Sequence, residues 1–425
     1  MQAKSCTLNF LSYSYLVRSA LIMIPVADAI QIVKDQTRAL EAERVALSQA
    51  LDRYLAEDII ADTDLPPFDR SQMDGYGVRA ADTAPAPAKL KIVGESAAGR
   101  GWHNEMKTGE AVRIMTGAPV PIGADSVQQV ELTREHDGGE AVEILEPVTL
   151  GRSIVRRGSE IQKGETVLRA GERINPGAVA VLASFGYAQV KVGKRPRVAI
   201  LATGSELVPV DQTPGQDQIR DSNNFSIAAY ASLAGAAIER LPLAGDDIAQ
   251  VKQQIADAAE RSDIIVTSGG VSVGRYDFTK TVLKELGAEI FFERIALRPG
   301  KPAVFARLPN GTLVFGLPGN PVSVSVTFNL FARAAILAMQ GAAETDLEAG
   351  RAVLSQGIKP SKDRESYLPA RLSTNQDAQL LANPLKWGGS SDFVGFVSAT
   401  ALIIVPSGTQ KIDAGSPVKI VYLPQ

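Results

Sequence analysis

The chain has a single cysteine, Cys6, among 425 residues. A disulfide framework, a cysteine-held zinc and an iron–sulfur cluster are excluded by that count. Only two histidines occur, His103 in GWHNE and His136 in REHDGG, each in polar, turn-like surroundings and away from any serine or cysteine set as a nucleophile. A histidine-based catalytic triad therefore does not fit. Neither sign of charge dominates: 44 basic and 47 acidic residues leave a net charge of -3, which argues against general nucleic-acid binding. Long apolar runs are also missing, and no stretch reads as long enough to span a membrane. The opening MQAKSCTLNFLSYSYLVRSALIM has some look of a signal peptide, but Arg18 interrupts its apolar run and Asn9, Ser12 and Ser14 dilute it. Residues 1–23 are thus expected to be an extension, and the cytoplasm is the expected location. Chemistry has to come from carboxylates, lysine, arginine, backbone amides and a hard metal ion.

What is present is a chain of 45% hydrophobic and 21% charged residues, ordinary for a globular protein and long enough for two to four domains. From Pro25 to Asp58 the spacing predicts helix, with Val26, Ile30 and Val33 on one face and a second helix over VALSQALDRYLAED. KLKIVGE, AVRIMTG, DSVQQVEL and AVEILEPV are short β-type runs, and GSEIQKGETVLRAGERI reads as ribbon. INPGAVAVLASFG predicts a short helix with Asn175 as cap, Pro176 at its first position and Gly186 as terminator. From Arg195 to Gly341 strands (RVAILAT, IERLPLA, DIIVTS, IFFERIAL, AVFARL, TLVFGL) alternate with helices, which predicts a doubly wound, mostly parallel sheet covered on both faces. The remainder returns to short strands ending in PVKIVYL.

Three strands of this α/β segment run into small-residue loops: AILATGSEL, IIVTSGGVSVGRYDF and VFGLPGNPVS. Ligands of such sheets sit at the carboxyl ends of the strands, and glycines let backbone amides approach a phosphate. Neither GxxxxGK[ST] nor GxGxxG occurs, so the usual NTPase and dinucleotide fingerprints are absent. Glu206, Asp246 and Asp277 lie on this edge. Taken singly, Asp246 and Asp277 suit helix N-caps and Glu206 a solvated loop. Together beside glycine loops they suit Mg²⁺, which takes a few carboxylates plus substrate phosphate oxygens. In FERIALRPGKPAVF, Arg294, Arg298 and Lys301 offer the cations of an oxyanion site, against the plainer reading of a solvated strand end. Asn320 reads as a helix cap with Pro321 following, leaving backbone amides free for a ligand. Asp74 in RSQMDGYGV and Thr116 in RIMTGAPVP could be ordinary turn residues.

The segments PPFDRSQMDGYGVR, RIMTGAPVPIGAD, RRGSEI, LATGSEL, SGGVSVGRYDFTK, RPGKPAVF and GLPGNPVS occur in that order, and with them the chain resembles the molybdopterin molybdenumtransferase family from about residue 24 onward. The resemblance implies an α/β plus β multidomain architecture. An elongated helix-and-ribbon domain would take 24–60 and 152–192, an inserted β domain 61–151, the molybdopterin-binding α/β domain 193–344, and a β-barrel-like C-terminal domain 345–425. It implies a homodimer with its cleft between subunits. It implies a reaction in which adenylylated molybdopterin and molybdate, with divalent metal help, give molybdenum cofactor and AMP.

Residue by residue, Asp246 and Asp277 match family acids at the metal and pyrophosphate region, and Glu206 the acid of the TG-x-EL loop. Asp74 and Thr116 match functional positions of the MDGY and MTGAP motifs, acting across the dimer. Arg298, Lys301 and Ser323 fall where the family binds molybdate or phosphate, with Arg364 and Ser390 or Ser391 as weaker matches. Gly204, Ser268, Gly269, Gly270, Ser272 and Gly274, with Pro318, Gly319, Asn320 and Pro321, complete the expected substrate loops. Three features depart from the family: arginines at 294 and 298 where lysines are frequent, GSE for GED at Glu160, and FDRSQMDGYG for FDNSAMDGYA. A molybdopterin adenylyltransferase of the same α/β fold would not need the accompanying domains. A non-catalytic molybdopterin-binding scaffold and a nucleotide hydrolase of related fold are the other readings. An adenylyltransferase and molybdoenzymes are the expected handover partners.

Overall fold

In the computed structural model the described residues are 23–270, 278–361, 363–386 and 388–424. They form two compact units. One takes the chain up to Ala56, Ala170–Asn175 and everything from Gln189; the other takes Glu57–Arg169 and Pro176–Ala188.

The first unit is built on a six-stranded sheet. Ala237–Arg240, Arg197–Ala202, Ile264–Ser268 and Leu313–Leu317 lie side by side in parallel. Pro302–Arg307 and Glu289–Arg294 extend it antiparallel. The four inner strands are largely apolar because both faces are covered, and alternate residues serve opposite cores. Val198, Ile200, Ile264 and Val266 pack with Ile227 and Ala231 of the helix Asn223–Leu233 and with the long helical run from Pro321 to Met339. Ala199, Leu201 and Ile265 pack with Val251 and Ile255 of the helix Ile248–Ala259 and with Val282 and Leu283 of the helix Phe278–Glu285. The first crossover runs to one side of Arg197–Ala202 and the next to the other. The sheet therefore has its topological switch between that strand and Ile264–Ser268, where loops diverge.

Five strands, Ala349–Leu354, Glu365–Thr374, Leu380–Pro384, Ala401–Val405 and Pro417–Tyr422, close into a barrel in the same unit. Closure leaves none of these strands with a free edge. The two-residue strand Leu297–Arg298 joins the barrel beside Glu365 and Ser366, so the RPGKP segment runs from barrel to sheet.

The second unit holds a six-stranded sheet of Gly75–Val78, Ala88–Ser96, Glu110–Ile114, Ser126–Gln129, Thr133–His136 and Ala141–Ile144. Tyr76, Val78, Leu90, Val142 and Ile144 fill its core. Thr166–Leu168 pairs with Ile59–Ile60, as the ribbon pattern predicts.

Several expectations need correction. The first helix forms at Val26–Gln36, but the second does not: Ala42–Ala46 is a strand paired antiparallel with Gln189–Gly193, and Asp52 takes a φ of 64°. Helical spacing of Leu47, Leu51 and Leu55 loses to a five-residue ladder with a distant strand. IFFERIAL is not one strand; it breaks after Arg294 and its end enters the barrel. His136 ends a strand rather than sitting in a turn. The helical run Pro321–Met339 is, by length and composition, long enough to cross a membrane, yet it is mostly buried against the sheet.

Candidate active site

The parallel strands end at a row of loops that hold one another. Gly204 N–H donates to the Ala244 carbonyl at 3.1 Å, and Gly269 N–H to the Leu317 carbonyl at 3.2 Å. Gly269 has a φ of 92°, and a Cβ there would run into the Thr203 carbonyl oxygen, so only glycine lets the first two loops approach. Asn223, first residue of its helix, reaches the second and third loops: its Nδ2 donates to Ser268 Oγ at 2.8 Å and to the Gly319 carbonyl at 2.7 Å.

Glu206 and Asp246 are exposed on adjacent loops at one side of this row. Asp246 is not the helix cap. Asp247 takes that role, its Oδ1 accepting from the Ala249 amide at 2.9 Å, which frees Asp246 to accept from Ser205 Oγ at 2.5 Å. Glu206 folds its carboxylate back over Gly204, where a Cβ would collide with it. Among the described residues no three acid or histidine side chains converge to cage a metal. Two loop carboxylates still suit Mg²⁺, which keeps water and substrate phosphate in most of its coordination positions. Asp277, Ser272 and Gly274 lie outside the described residues.

Beyond the Pro318–Asn320 turn a cavity of about 660 Å³ opens between the sheet and the barrel. Among the described residues, Arg298, Lys301, Lys359 and Arg364 line it and no carboxylate does. Arg364 is anchored, its Nη1 donating to the Leu297 carbonyl at 3.3 Å and its Nε to Asp363 at 3.2 Å. Arg298, Lys301 and Lys359 show no ion pair among the described residues. Three gathered cations without counter-charge, beside a fourth that has one, repel one another and are costly unless an anion joins them. Ser323 and Ser390 add hydroxyls to the wall. The Asn320 side chain donates to Ser390 Oγ at 2.9 Å, tying the helix start to the barrel loop.

The structure brings some of the expected residues together and keeps others apart. Arg298, Lys301, Pro318, Asn320, Ser323, Ser390 and Arg364 share one cavity. Gly204, Glu206, Asp246, Ser268, Gly269, Gly270 and Gly319 belong to the neighbouring loops. Pro321 faces a different, smaller cleft, and Ser391 does not line the cavity. Arg294 does not join Arg298: four residues span a helix turn, but here the chain leaves one sheet for another between them. The amides after Asn320 are not all free, since Val322 N–H donates to the Ser390 carbonyl at 3.0 Å.

Two residues escaped the sequence reading. Asn223 carried a readable signal, a polar run DSNN opening the helix after the first sheet strand. Lys359 carried none, because GIKPS lies in another domain and only folding brings it to the cavity.

Asp74 and Thr116 come together in the second unit. Gly75 pairs with Ile114 across the sheet, which puts the two at one strand end. Thr116 N–H and Oγ1 both donate to Asp74 Oδ1, at 2.6 and 2.9 Å. The amide bond, then the hydroxyl bond, holds the Asp74 carboxyl below the ordinary carboxylate range. Nearby, Arg70 pairs with Glu160 at 3.1 Å, so two of the sequence's departures from the family pattern contact each other.

Comparison with known proteins covers almost the whole chain. Residues 24–186 match the MoeA N-terminal region (domain I and II), 199–338 a probable molybdopterin binding domain, and 351–423 the MoeA C-terminal region (domain IV). A molybdopterin molybdenumtransferase of Bacillus subtilis is 37% identical, covering 94% of each chain. One from Staphylococcus aureus is 36% identical, over 94% of this chain and 95% of its own. A molybdopterin biosynthesis moeA protein from Pyrococcus horikoshii superposes with a TM-score of 0.82 at 28% identity, covering 95% of this chain and all of the other.

Proposed function

Because the chain belongs to the molybdopterin molybdenumtransferase family, we propose that it inserts molybdenum from molybdate into adenylylated molybdopterin, releasing AMP and molybdenum cofactor. The observation that carries this reading is the cavity lined, among the described residues, by four cations and no acid, beside glycine-bearing loops. Arg298, Lys301 and Arg364 hold the molybdate oxyanion, with Ser323 and Ser390 donating hydroxyl hydrogen bonds. Arg364 is the firmest of these, since two of its nitrogens are already fixed. Ser268, Gly269 and Gly270 hold the pterin's phosphate through the loop backbone. Holding both substrates on adjacent loops makes delivery of the metal oxyanion effectively unimolecular.

Glu206 and Asp246, with Asp277, are the residues that would hold Mg²⁺. Bound there, the ion would supply Lewis-acid polarisation of the phosphoanhydride. The chain's own part is to fix the carboxylates: the Ser205 bond aims Asp246, and Gly204 leaves room for Glu206.

Asp74, its carboxylate held by the Thr116 amide and hydroxyl, is offered to the cleft of a second copy in a homodimer. The division into a helix-and-ribbon domain (24–60, 152–192), an inserted β domain (61–151), an α/β domain (193–344) and a C-terminal β domain (345–425) belongs to the same reading. So does handover from an adenylyltransferase to molybdoenzymes. The test is to mix the purified protein with adenylylated molybdopterin, molybdate and Mg²⁺. AMP release coupled to active cofactor is expected. Tight binding of the pterin with no AMP would replace the enzyme with a scaffold.

A further inference from the structure

The backbone ladder between Ile264–Ser268 and Leu313–Leu317 ends at the residues Ser268 and Leu317, with a last bond from Gly269 N–H to the Leu317 carbonyl. Past that bond the two loops part. One is the glycine loop read above as the phosphate holder, and the other, Pro318–Asn320, forms part of the cavity wall. The Asn223 side chain bridges them. The Asn223 Nδ2 donates one hydrogen to Ser268 Oγ at 2.8 Å and the other to the Gly319 carbonyl at 2.7 Å.

The orientation of this amide is fixed by chemistry. A carbonyl can only accept, so the NH₂ group must face Gly319. That leaves Asn223 Oδ1 buried without a hydrogen-bond partner among the described residues. A buried acceptor left unpaired is unfavourable, and its retention requires a reason. Ser268 is itself 2% exposed, so its hydroxyl serves the bridge rather than the open cleft. A Cβ on Gly319 would sit 3.8 Å from the Gly269 Cα, which shows how near the two loops run at the bridge. Neither aspartate nor serine replaces it: aspartate would set a carboxylate against a carbonyl, and serine has one donor for two acceptors.

We infer that Asn223 is a positioning residue that sets the spacing between the phosphate-holding loop and the oxyanion cavity, and so the distance between the two bound substrates. The inference rests on the proposed function. Asn223 touches neither substrate; it acts through Ser268 and Gly319. A residue with this task affects the joint geometry of two ligands and leaves each ligand's own contacts in place.

The experiment uses the full chain and the variants Asn223→Ala, Asn223→Asp and Ser268→Ala. Calorimetry measures molybdate and adenylylated molybdopterin separately and then together, and quenched flow follows AMP. For Asn223→Ala each ligand alone binds as in wild type, while turnover falls on the order of a hundredfold, the loss that about an ångström of misplacement brings. Asn223→Asp falls further. Ser268→Ala keeps the Gly319 arm and loses less. The double variant Asn223→Ala with Ser268→Ala is no worse than Asn223→Ala alone, because both act through one bridge. Unchanged turnover overturns the inference, and so does a proportional loss of both separate affinities. If Asn223→Ala does not fold, Ser268→Ala decides: it must slow turnover with separate affinities intact. A wild type that binds both ligands yet releases no AMP defeats the proposed function instead. The inference then stands or falls on whether Asn223→Ala abolishes the effect of one bound ligand on the other's affinity.

Discussion

The central sheet opens onto a cavity at each end. At the amino end the space is about 900 Å³ and at the carboxyl end about 660 Å³. The larger one is lined by Arg38, Arg197 and Arg307 together with Glu260, Asp263 and Glu289, three charges of each sign. Arg307 pairs with Glu289 at 2.7 Å and Arg197 with Asp263 at 3.7 Å. The smaller one is lined, among the described residues, by four cations and no acid, and of the four only Arg364 has an ion pair there, with Asp363. Volume would have chosen the wrong end. Charges that satisfy one another need nothing from solution, whereas gathered like charges are an unbalanced arrangement that an anion completes. The same edge of a parallel sheet is where loops diverge and small ligands fit, so topology and electrostatics agree on one end.

The strongest attempt to break this contrast is the removal of two cavity cations together. Lys301→Ala with Arg364→Ala is expected to weaken molybdate binding by a hundredfold or more, since charge-assisted hydrogen bonds contribute roughly 1.5–3 kcal/mol each. Molybdate titration by calorimetry measures it, and near-wild-type affinity would place the oxyanion elsewhere. Lys359→Met should act more gently, raising the KM for molybdate about fivefold at low ionic strength, with the effect fading as salt screens an exposed charge. Persistence of the full effect in high salt would mean direct ligation instead. At the amino end, Arg197→Gln should leave turnover unchanged and alter stability by no more than about 1 kcal/mol, as for an exposed ion pair. A thermal melt and an AMP assay on one preparation suffice, and lost turnover there would erase the distinction between the two ends.

The smallest expected effect concerns a charge that is also satisfied internally, Asp74. Its folded pKa lies below the unfolded value of roughly 3.9. Stability from its bonds to Thr116 is thus present above that unfolded value and lost as pH falls through the depressed folded one. Thr116→Val removes the hydroxyl bond and keeps the amide bond. Its carboxyl should titrate nearer the ordinary range, and its melting temperature should differ from wild type at neutral pH and converge with it in strong acid. Carbon-detected NMR of the Asp74 carboxyl reads the shift; an unmoved titration would show that the amide alone sets it.

The α/β segment was legible because its strands are short apolar runs punctuated by glycine and its helices carry a clear period, so local pattern and final fold agree. Arg298, Lys301, Ser323 and Asn320 were readable from the loops that carry them. The region before Asp58 was not. Its leucines keep helical spacing, but Ala42–Ala46 finds a ladder with Gln189–Gly193 that spacing cannot reveal. Asp246 and Asp247 were interchangeable as caps on paper, and only the path of the loop gave the helix to the second and the free carboxylate to the first. Arg294 and Arg298 looked like a clamp because separation along the chain was mistaken for proximity.

By itself the sequence determined which residue types were available: almost no thiol or imidazole, three glycine loops after apolar strands, and a small set of acids and cations near them. Those choices are local and follow from backbone freedom, periodicity and side-chain chemistry. The tertiary structure decided which of them meet. Lys359 and Arg364 come from the barrel, Lys301 from the sheet, and Arg298 from the short strand joining the two. Electrostatic compensation depends on distance in space, with a Coulomb energy that falls with separation and not with position in the chain. An unpaired charge is therefore a property of the fold, and no single segment of sequence contains it.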